Sequence, residues 1–376
     1  MVTGTRAEFG LLATVMRAVR LHPRLELLTV VTGAHLVGAG ETWRDVDETF
    51  GIDARVEMQR DGAIGRAEDA KALGRGIEGL AIAYESVKPD WVVVLGDRIE
   101  ALAAACAASV SGIPVAHLHG GDRAEGVADE AMRHAITKLA HLHLPATAQS
   151  ADRIIRMGED PARVIVVGSP AIDGLGAIEP MSDEAYNRLG NPRIVFLMHP
   201  IGRDSTDERR DATAALEGAS GRSLVALLPN LDPGREGIVE ALRDVGAPTL
   251  AHLRREQWIG LLKRVAIEGG VLLGNSSAGL IEASALRPYP LPAVDIGPRQ
   301  SGRECPETVI HVDPDSHRPI RDAIRKAEGL SQSWRQSEAL PGHPYGEGLA
   351  GERTAAALAE LPLSEALRLI RKRNTY

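Results

Sequence analysis

Short apolar runs alternate with longer stretches of helical periodicity through the first half of the chain. Leu27 to Thr32, Trp91 to Gly96, Pro114 to His119 and Arg163 to Gly168 read as buried strands. Around them, Glu8 to Arg20, Arg98 to Ser111 and Asp129 to Leu139 repeat apolar residues at helical spacing. Such alternation predicts a parallel sheet with helices on both faces. Polar residues just past the strands then belong to the carboxyl edge, where open α/β sheets bind ligands. Only Met1 and Val2 precede the turn Thr3-Gly4-Thr5-Arg6, so the first strand is either short or clipped by a late start.

After Gly168 the composition shifts. The stretch 169–191 is rich in Gly, Pro and Asp and reads as an interdomain linker. Strand candidates then resume at Arg193 to Met198, Ser223 to Leu228, Thr249 to Leu253, Val271 to Gly274 and Leu291 to Asp295. Helices are predicted at Thr206 to Glu217, Glu236 to Asp244, Glu256 to Arg264 and Ala278 to Leu286. The expected architecture is α/β, with doubly wound Rossmann-like domains at 1–168 and 192–345 facing a central cleft. The tail, 346–376, is expected to form a helix over Gly348 to Arg373 and to pack back on the N-terminal domain.

Composition narrows the partners. At 376 residues the chain exceeds one ordinary core, which agrees with two domains. Aromatics are only 3%, so Leu, Val, Ile and Ala must build the interior. Against 43 basic residues stand 51 acidic ones; the net charge of −8 argues against nucleic acid and requires any anion to be held by a local arrangement. Cys106 and Cys305 lie far apart and suggest no disulfide framework, which favours a reducing cytoplasm. No apolar run is long enough for a bilayer and no signal peptide is legible. No His/Cys spacing matches a closed zinc site, so neither metal nor cofactor is expected.

The densest polar segment is His117-Leu118-His119-Gly120-Gly121-Asp122, followed by Asp129-Glu130-Ala131-Met132-Arg133-His134. Imidazoles and carboxylates crowded after one strand suit general acid–base chemistry, because close neighbours move their pKa values. Asp97-Arg98-Ile99-Glu100 follows another strand; Asp97 is either a helix cap or a site residue. His199, after the first strand of the second half, is either structural or catalytic. His141 and His143 read as packing or edge residues. For an anion, Gly274-Asn275-Ser276-Ser277-Ala278-Gly279 offers small residues, hydroxyls and a helix start, with Glu282 one turn on and near enough to accept from ribose. An ordinary Ser/Asn cap explains the segment about as well. Arg6, Arg299 and Arg303 stand in loops where they either grip phosphate or sit in solvent.

Taken together, these segments resemble the UDP-N-acetylglucosamine 2-epimerase family, which has the glycosyltransferase-B architecture. The resemblance runs through Thr3-Gly4-Thr5-Arg6-Ala7-Glu8, Gly96-Asp97-Arg98-Ile99-Glu100, the His117–Asp122 segment and Arg133-His134-Ala135-Ile136-Thr137-Lys138-Leu139-Ala140-His141. It continues through Asn275-Ser276-Ser277-Ala278-Gly279, Ile296-Gly297 to Arg303 and Pro344-Tyr345-Gly346-Glu347-Gly348, covering almost the whole chain in order. The His-Leu-His-Gly-Gly and Arg-His-Ala-Ile-Thr-Lys runs look like the hydrolysing branch, of the sialic or nonulosonic acid type. The other branch carries a glutamate where His119 stands, so the acid–base assignment moves to Asp122 or His119. The stretch Val265 to Gly270 is also unlike the family pattern.

The resemblance implies a UDP-sugar substrate, elimination of UDP, hydration of a 2-acetamidoglycal, and a homo-oligomer. It points to Asp97, Glu100, His119, Asp122, Glu130 and His199 as catalytic candidates. Arg6, Arg98, Arg133, Asn275, Ser276, Ser277, Gly279, Glu282, Arg299 and Arg303 become substrate-binding candidates. The rival readings are a non-hydrolysing epimerase, a glycosyltransferase of the same architecture, and an inactive nucleotide-sugar binder. N-acetylglucosamine and a 4-acetamido-6-deoxy relative both remain open as the sugar.

Overall fold

The computed structural model describes residues 1–38, 42–62, 65–123, 129–230, 232–337, 339–361 and 372. The chain divides into two compact units. The first takes the described residues of 1–122, 129–173 and 346–372; the second takes those of 174–345, with Arg123.

The first unit begins with β1 (Val2–Thr3), α1 (Arg6–Leu21), β2 (Val30–Thr32), α2 (Trp43–Phe50), β3 (Ala54–Val56) and α3 (Arg66–Val87). It continues with β4 (Val92–Leu95), α4 (Ile99–Val110), β5 (Val115–Leu118), α5 (Asp129–Leu139), β6 (Leu142–Leu144) and α6 (Ala148–Arg156). All ladders are parallel, in two three-stranded sheets, β3-β2-β1 and β4-β5-β6, and β1 lies beside β4, so that the spatial order is β3-β2-β1-β4-β5-β6. That order reverses direction between β1 and β4, the place where doubly wound sheets open a ligand crevice. The first strand is only two residues long, yet it is buried and in register, Val2 opposite Val30 and Thr3 opposite Val31.

Helix α4 explains how the sheet is covered with few large residues. Ala101, Ala103, Ala104, Ala105, Ala107 and Ala108 are all buried, because α4 is packed between α3, α5 and the sheet. Small side chains let the backbones approach closely, and Val92, Val94, Leu80 and Ile136 fill the remaining space. The predicted strand over Arg163 to Gly168 forms no ladder. It docks along β6 through Ile165 N–H to His143 O (2.9 Å) and Val167 N–H to Pro145 O (3.1 Å), with a single bridge at Val164.

The second unit holds α7 (Asp183–Arg188), β7 (Ile194–Leu197), α8 (Ser205–Gly218), β8 (Leu224–Leu227), α9 (Arg235–Asp244) and β9 (Thr249–Leu250). There follow α10 (Arg255–Glu268), β10 (Val271–Gly274), α11 (Glu282–Ala285), β11 (Ala293–Ile296), β12 (Val309–Val312) and α12 (His317–Gln336). Its single parallel sheet runs β12-β11-β10-β7-β8-β9, the same winding as the first unit. The helix predicted over Ala278 to Leu286 is instead a 3-10 turn at Ser277–Gly279 and the four-residue α11. The strand Leu291 to Asp295 shifts to Ala293–Ile296, since Pro290 and Pro292 lack the N–H that a ladder needs.

Residues 169–191, read as the interdomain linker, hold local structure of their own. They contain 3-10 turns at Pro170–Ile172 and Leu175–Ala177 and the helix α7, and the unit boundary falls after Asp173. Beyond Tyr345 the chain rejoins the first unit with α13 (Ala350–Glu360), which packs on α1. Asp173 caps it from afar: its carboxylate accepts from the N–H groups of Ala350 (2.9 Å) and Gly351 (2.7 Å). The rest of the predicted tail helix lies outside the described residues, except Lys372. That ammonium donates to the carbonyls of Thr137, Lys138 and Ala140 and pairs with Glu159 at 2.6 Å.

Candidate active site

The polar cluster of the first unit stands at the carboxyl ends of β4 and β5. Gly96, at φ +76°, turns the chain out of β4, and the Nε2–H of buried His117 holds the Gly96 carbonyl at 2.7 Å. Burial pulls the His117 pKa down to about 3, so the ring stays neutral and its Nδ1 accepts from Thr137 Oγ1 (3.2 Å). The next residue, Asp97, pairs with the guanidinium of Arg133. Arg133 is buried; its Nη1 also donates to the His119 carbonyl (3.1 Å) and lies 3.6 Å from Asp122 Oδ2. One planar cation therefore gathers Asp97, Asp122 and the His119 backbone.

The turn after β5 is tight. His119 has φ +59°, a conformation that side-chain-bearing residues seldom adopt, and Gly121 has φ +76°. A Cβ at Gly121 would come within 2.2 Å of the Ser150 carbonyl, and one at Gly120 within 2.9 Å of His117 Nδ1. Only glycines fit there, and they bring Asp122 under the start of α6. Asp122 Oδ2 meets His119 Nδ1 at 2.9 Å, while Oδ1 accepts from Ser150 Oγ at 2.7 Å. The far side of the His119 ring meets Ser169 Oγ at 3.0 Å. The sequence patterns single out neither serine.

Other candidates fall elsewhere. Glu100 is buried beneath the loops: it accepts from Gln59 Nε2 (2.7 Å) and Arg98 Nε (3.3 Å) and presses on Gly4 and Gly33. Its carboxylate is spent on these neighbours, and Arg98 pairs with it at 3.3 Å. Buried Glu8, not among the sequence's site candidates, accepts from Gly4 N–H at 2.7 Å; burial first, then Glu100, pushes its pKa up to about 8. Arg6 opens α1 and lies 3.7 Å from Asp45. Glu130 opens α5 one turn before its 3.6 Å partner His134.

In the second unit Asn275, at the end of β10, is a hub. Its side chain accepts from His199 N–H (2.7 Å) and donates to His199 O (2.8 Å), and its own carbonyl receives Arg299 Nη1 (3.2 Å) and Gln300 Nε2 (2.7 Å). Ser276 Oγ caps Ala278 N–H at 3.3 Å, and Ser277 and Gly279 complete the turn ahead of buried Glu282. Because α11 is so short, no long helix dipole points at this turn; loop amides, hydroxyls and nearby arginines remain as anion donors. Arg303 donates to Arg123 O (2.8 Å) and Gln300 Oε1 (3.0 Å). His199 accepts from Asn230 N–H at Nδ1 (3.3 Å), and burial, then Arg299, pulls its pKa down to about 3. With Nδ1 accepting, the neutral ring carries its proton on Nε2 and offers it as a donor.

These features were compared with known proteins. A family model described as UDP-N-acetylglucosamine 2-epimerase matches residues 17–359. A Legionella pneumophila protein named UDP-N,N'-diacetylbacillosamine 2-epimerase (hydrolyzing) is 34% identical, over 100% of this chain and 98% of its own. A Neisseria meningitidis UDP-N-acetylglucosamine 2-epimerase is 32% identical, over 88% of this chain and 87% of its own. Among solved structures, UDP-GlcNAc 2-epimerase from Neisseria meningitidis, bound to UDP-GlcNAc, aligns with a TM-score of 0.74 at 20% identity. That alignment covers 95% of this chain and 98% of the other, and shows a shared glycosyltransferase-B-like fold.

Proposed function

Since the chain belongs to the UDP-N-acetylglucosamine 2-epimerase family, we propose that it is the hydrolysing kind, converting a UDP-acetamidosugar and water into UDP and the free 2-epimer. The observation that carries this reading is the cluster of buried His119, Asp122 and Arg133 with half-buried Asp97 at the carboxyl edge of the first unit's strands. A base removes the proton from C2 while the C1–O bond breaks, and the electron pair leaves with UDP. Water then adds across the 2-acetamidoglycal, its oxygen to C1 and a proton to the opposite face of C2.

Asp97, Asp122 and Glu130 are the acid–base candidates, with His119 and the donor His199 assisting. Arg6, Ser276, Ser277, Gly279 and Arg303 hold the diphosphate, and Glu282 the ribose. The sugar is UDP-N-acetylglucosamine or UDP-N,N'-diacetylbacillosamine, the substrates in the names of the two relatives above. Under the same reading the enzyme is a homo-oligomer. The two free cysteines support a reducing compartment such as the cytoplasm.

Proton NMR in D2O with each UDP-sugar tests the proposal. Free UDP together with a 2-epimer deuterated at C2 is the expected result. An epimer that keeps UDP establishes the non-hydrolysing reaction instead, and unchanged spectra with both sugars overturn the reading.

A further inference from the structure

His119, Asp122, Ser150 and Ser169 form a chain in which every proton has one place to go. Ser150 Oγ accepts from Thr147 Oγ1 (3.0 Å) and Arg153 Nη1 (3.4 Å), so its own proton goes to Asp122 Oδ1. Ser169 Oγ accepts from Ala171 N–H (3.3 Å), and the acceptor in reach of its own proton is His119 Nε2, 3.0 Å away. Ser169 is fully buried, which removes water as a competing acceptor. With Nε2 accepting, the ring proton sits on Nδ1 and is donated to Asp122 Oδ2 at 2.9 Å. Asp122 is thereby a carboxylate that receives a hydrogen bond on each oxygen, with Arg133 at 3.6 Å as counter-charge. The left-handed backbone of His119 is the strain that accompanies aiming the ring at both partners at once.

We propose that Ser169 is a positioning residue: by fixing the His119 tautomer it holds Asp122 in place. This rests on Asp122 being one of the reacting groups in the reading above. Ser169 comes from a turn 50 positions further along the chain and touches only His119 in this network. Its influence passes through the ring, as a third group orients the base in other buried histidine–carboxylate pairs.

The test is the tautomer itself, read by nitrogen-15 NMR on histidine-labelled protein, with His119→Gln identifying the resonance. Wild type is expected to show protonated Nδ1 and hydrogen-bonded Nε2, and Ser169→Ala to lose that single tautomer. In turnover, Ser169→Ala is expected to lower kcat roughly 10- to 100-fold with KM unchanged, and Ser169→Thr to restore it. Should Ser169→Ala not fold, Ser169→Cys keeps the shape while weakening the donor. An unaltered tautomer in the Ala or Cys variant, or an unaltered kcat, overturns the proposal. The tautomer is read without substrate. A wild type that shows the serine-dependent tautomer but converts neither UDP-sugar therefore overturns the functional reading and supports the proton arrangement.

Discussion

Arg133 binds three groups through one buried guanidinium: Asp97, Asp122 and the carbonyl of His119. Lysine keeps the charge but cannot span them, so Arg133→Lys should lower kcat by about 100-fold while the fold persists. Arg133→Ala leaves carboxylates without their cation and should cost roughly 3 kcal/mol in urea unfolding. Gly121→Ala is the complementary case, since its methyl would meet the Ser150 carbonyl at 2.2 Å in a left-handed conformation. A loss of about 2 kcal/mol is expected in the same assay. At this scale the sequence showed the cluster's carboxylates and imidazoles because they crowd after one strand. It hid Ser150 and Ser169, which come from 28 and 50 positions away and are ordinary serines until folded. Nor did it show that Glu100 is buried, since exposure depends on packing that no spacing reveals.

At the scale of elements, β4 and β5 were legible because strands buried on both faces are continuous apolar runs. Helices α3 and α12 were not. The buried stripe of α3 is Ala72, Gly76, Leu80, Ala83 and Tyr84, and that of α12 includes Ala323, Ala327 and Ser331. Small residues at helical spacing carry little hydropathy contrast, yet they are what close helix packing selects. The cap on α13 was hidden for a different reason, since its acceptor is remote in sequence. Asp173→Ala removes both hydrogen bonds and should cost about 1–2 kcal/mol, lowering the melting temperature by a few degrees. Asp173→Asn keeps one acceptor oxygen and should lose less.

Across the whole molecule, buried titratable groups set the response to pH. Burial pulls His35 and His141 down to about 4 and His117 and His199 to about 3. Each is neutral when folded and charges when unfolded, so its contribution is complete above pH 6.5 and drains away as pH falls, toward 4 for His35 and His141 and toward 3 for His117 and His199. Glu8 has the opposite sign. With a folded pKa of about 8 it stays protonated where the unfolded side chain ionises, so its contribution is lost between pH 4.5 and 8 as pH rises. The Met1 amine, pulled down to about 5 by burial, opposes Glu8 over part of that range. Comparing melting temperatures of Glu8→Gln with wild type isolates the carboxyl group; the variant's advantage should grow steadily from pH 5 to pH 8.

The capping of α13 by Asp173 also bears on synthesis. The bonded partners are 177 positions apart, and all but a few of the residues between them build the second unit. At ribosomal speeds of about 5–20 residues per second, Asp173 waits roughly 9–35 s for its helix. The unit translated first is therefore completed last. A nascent chain stalled shortly after Tyr345 clears the exit tunnel should carry a protease-resistant second unit behind a first unit that is still cleavable.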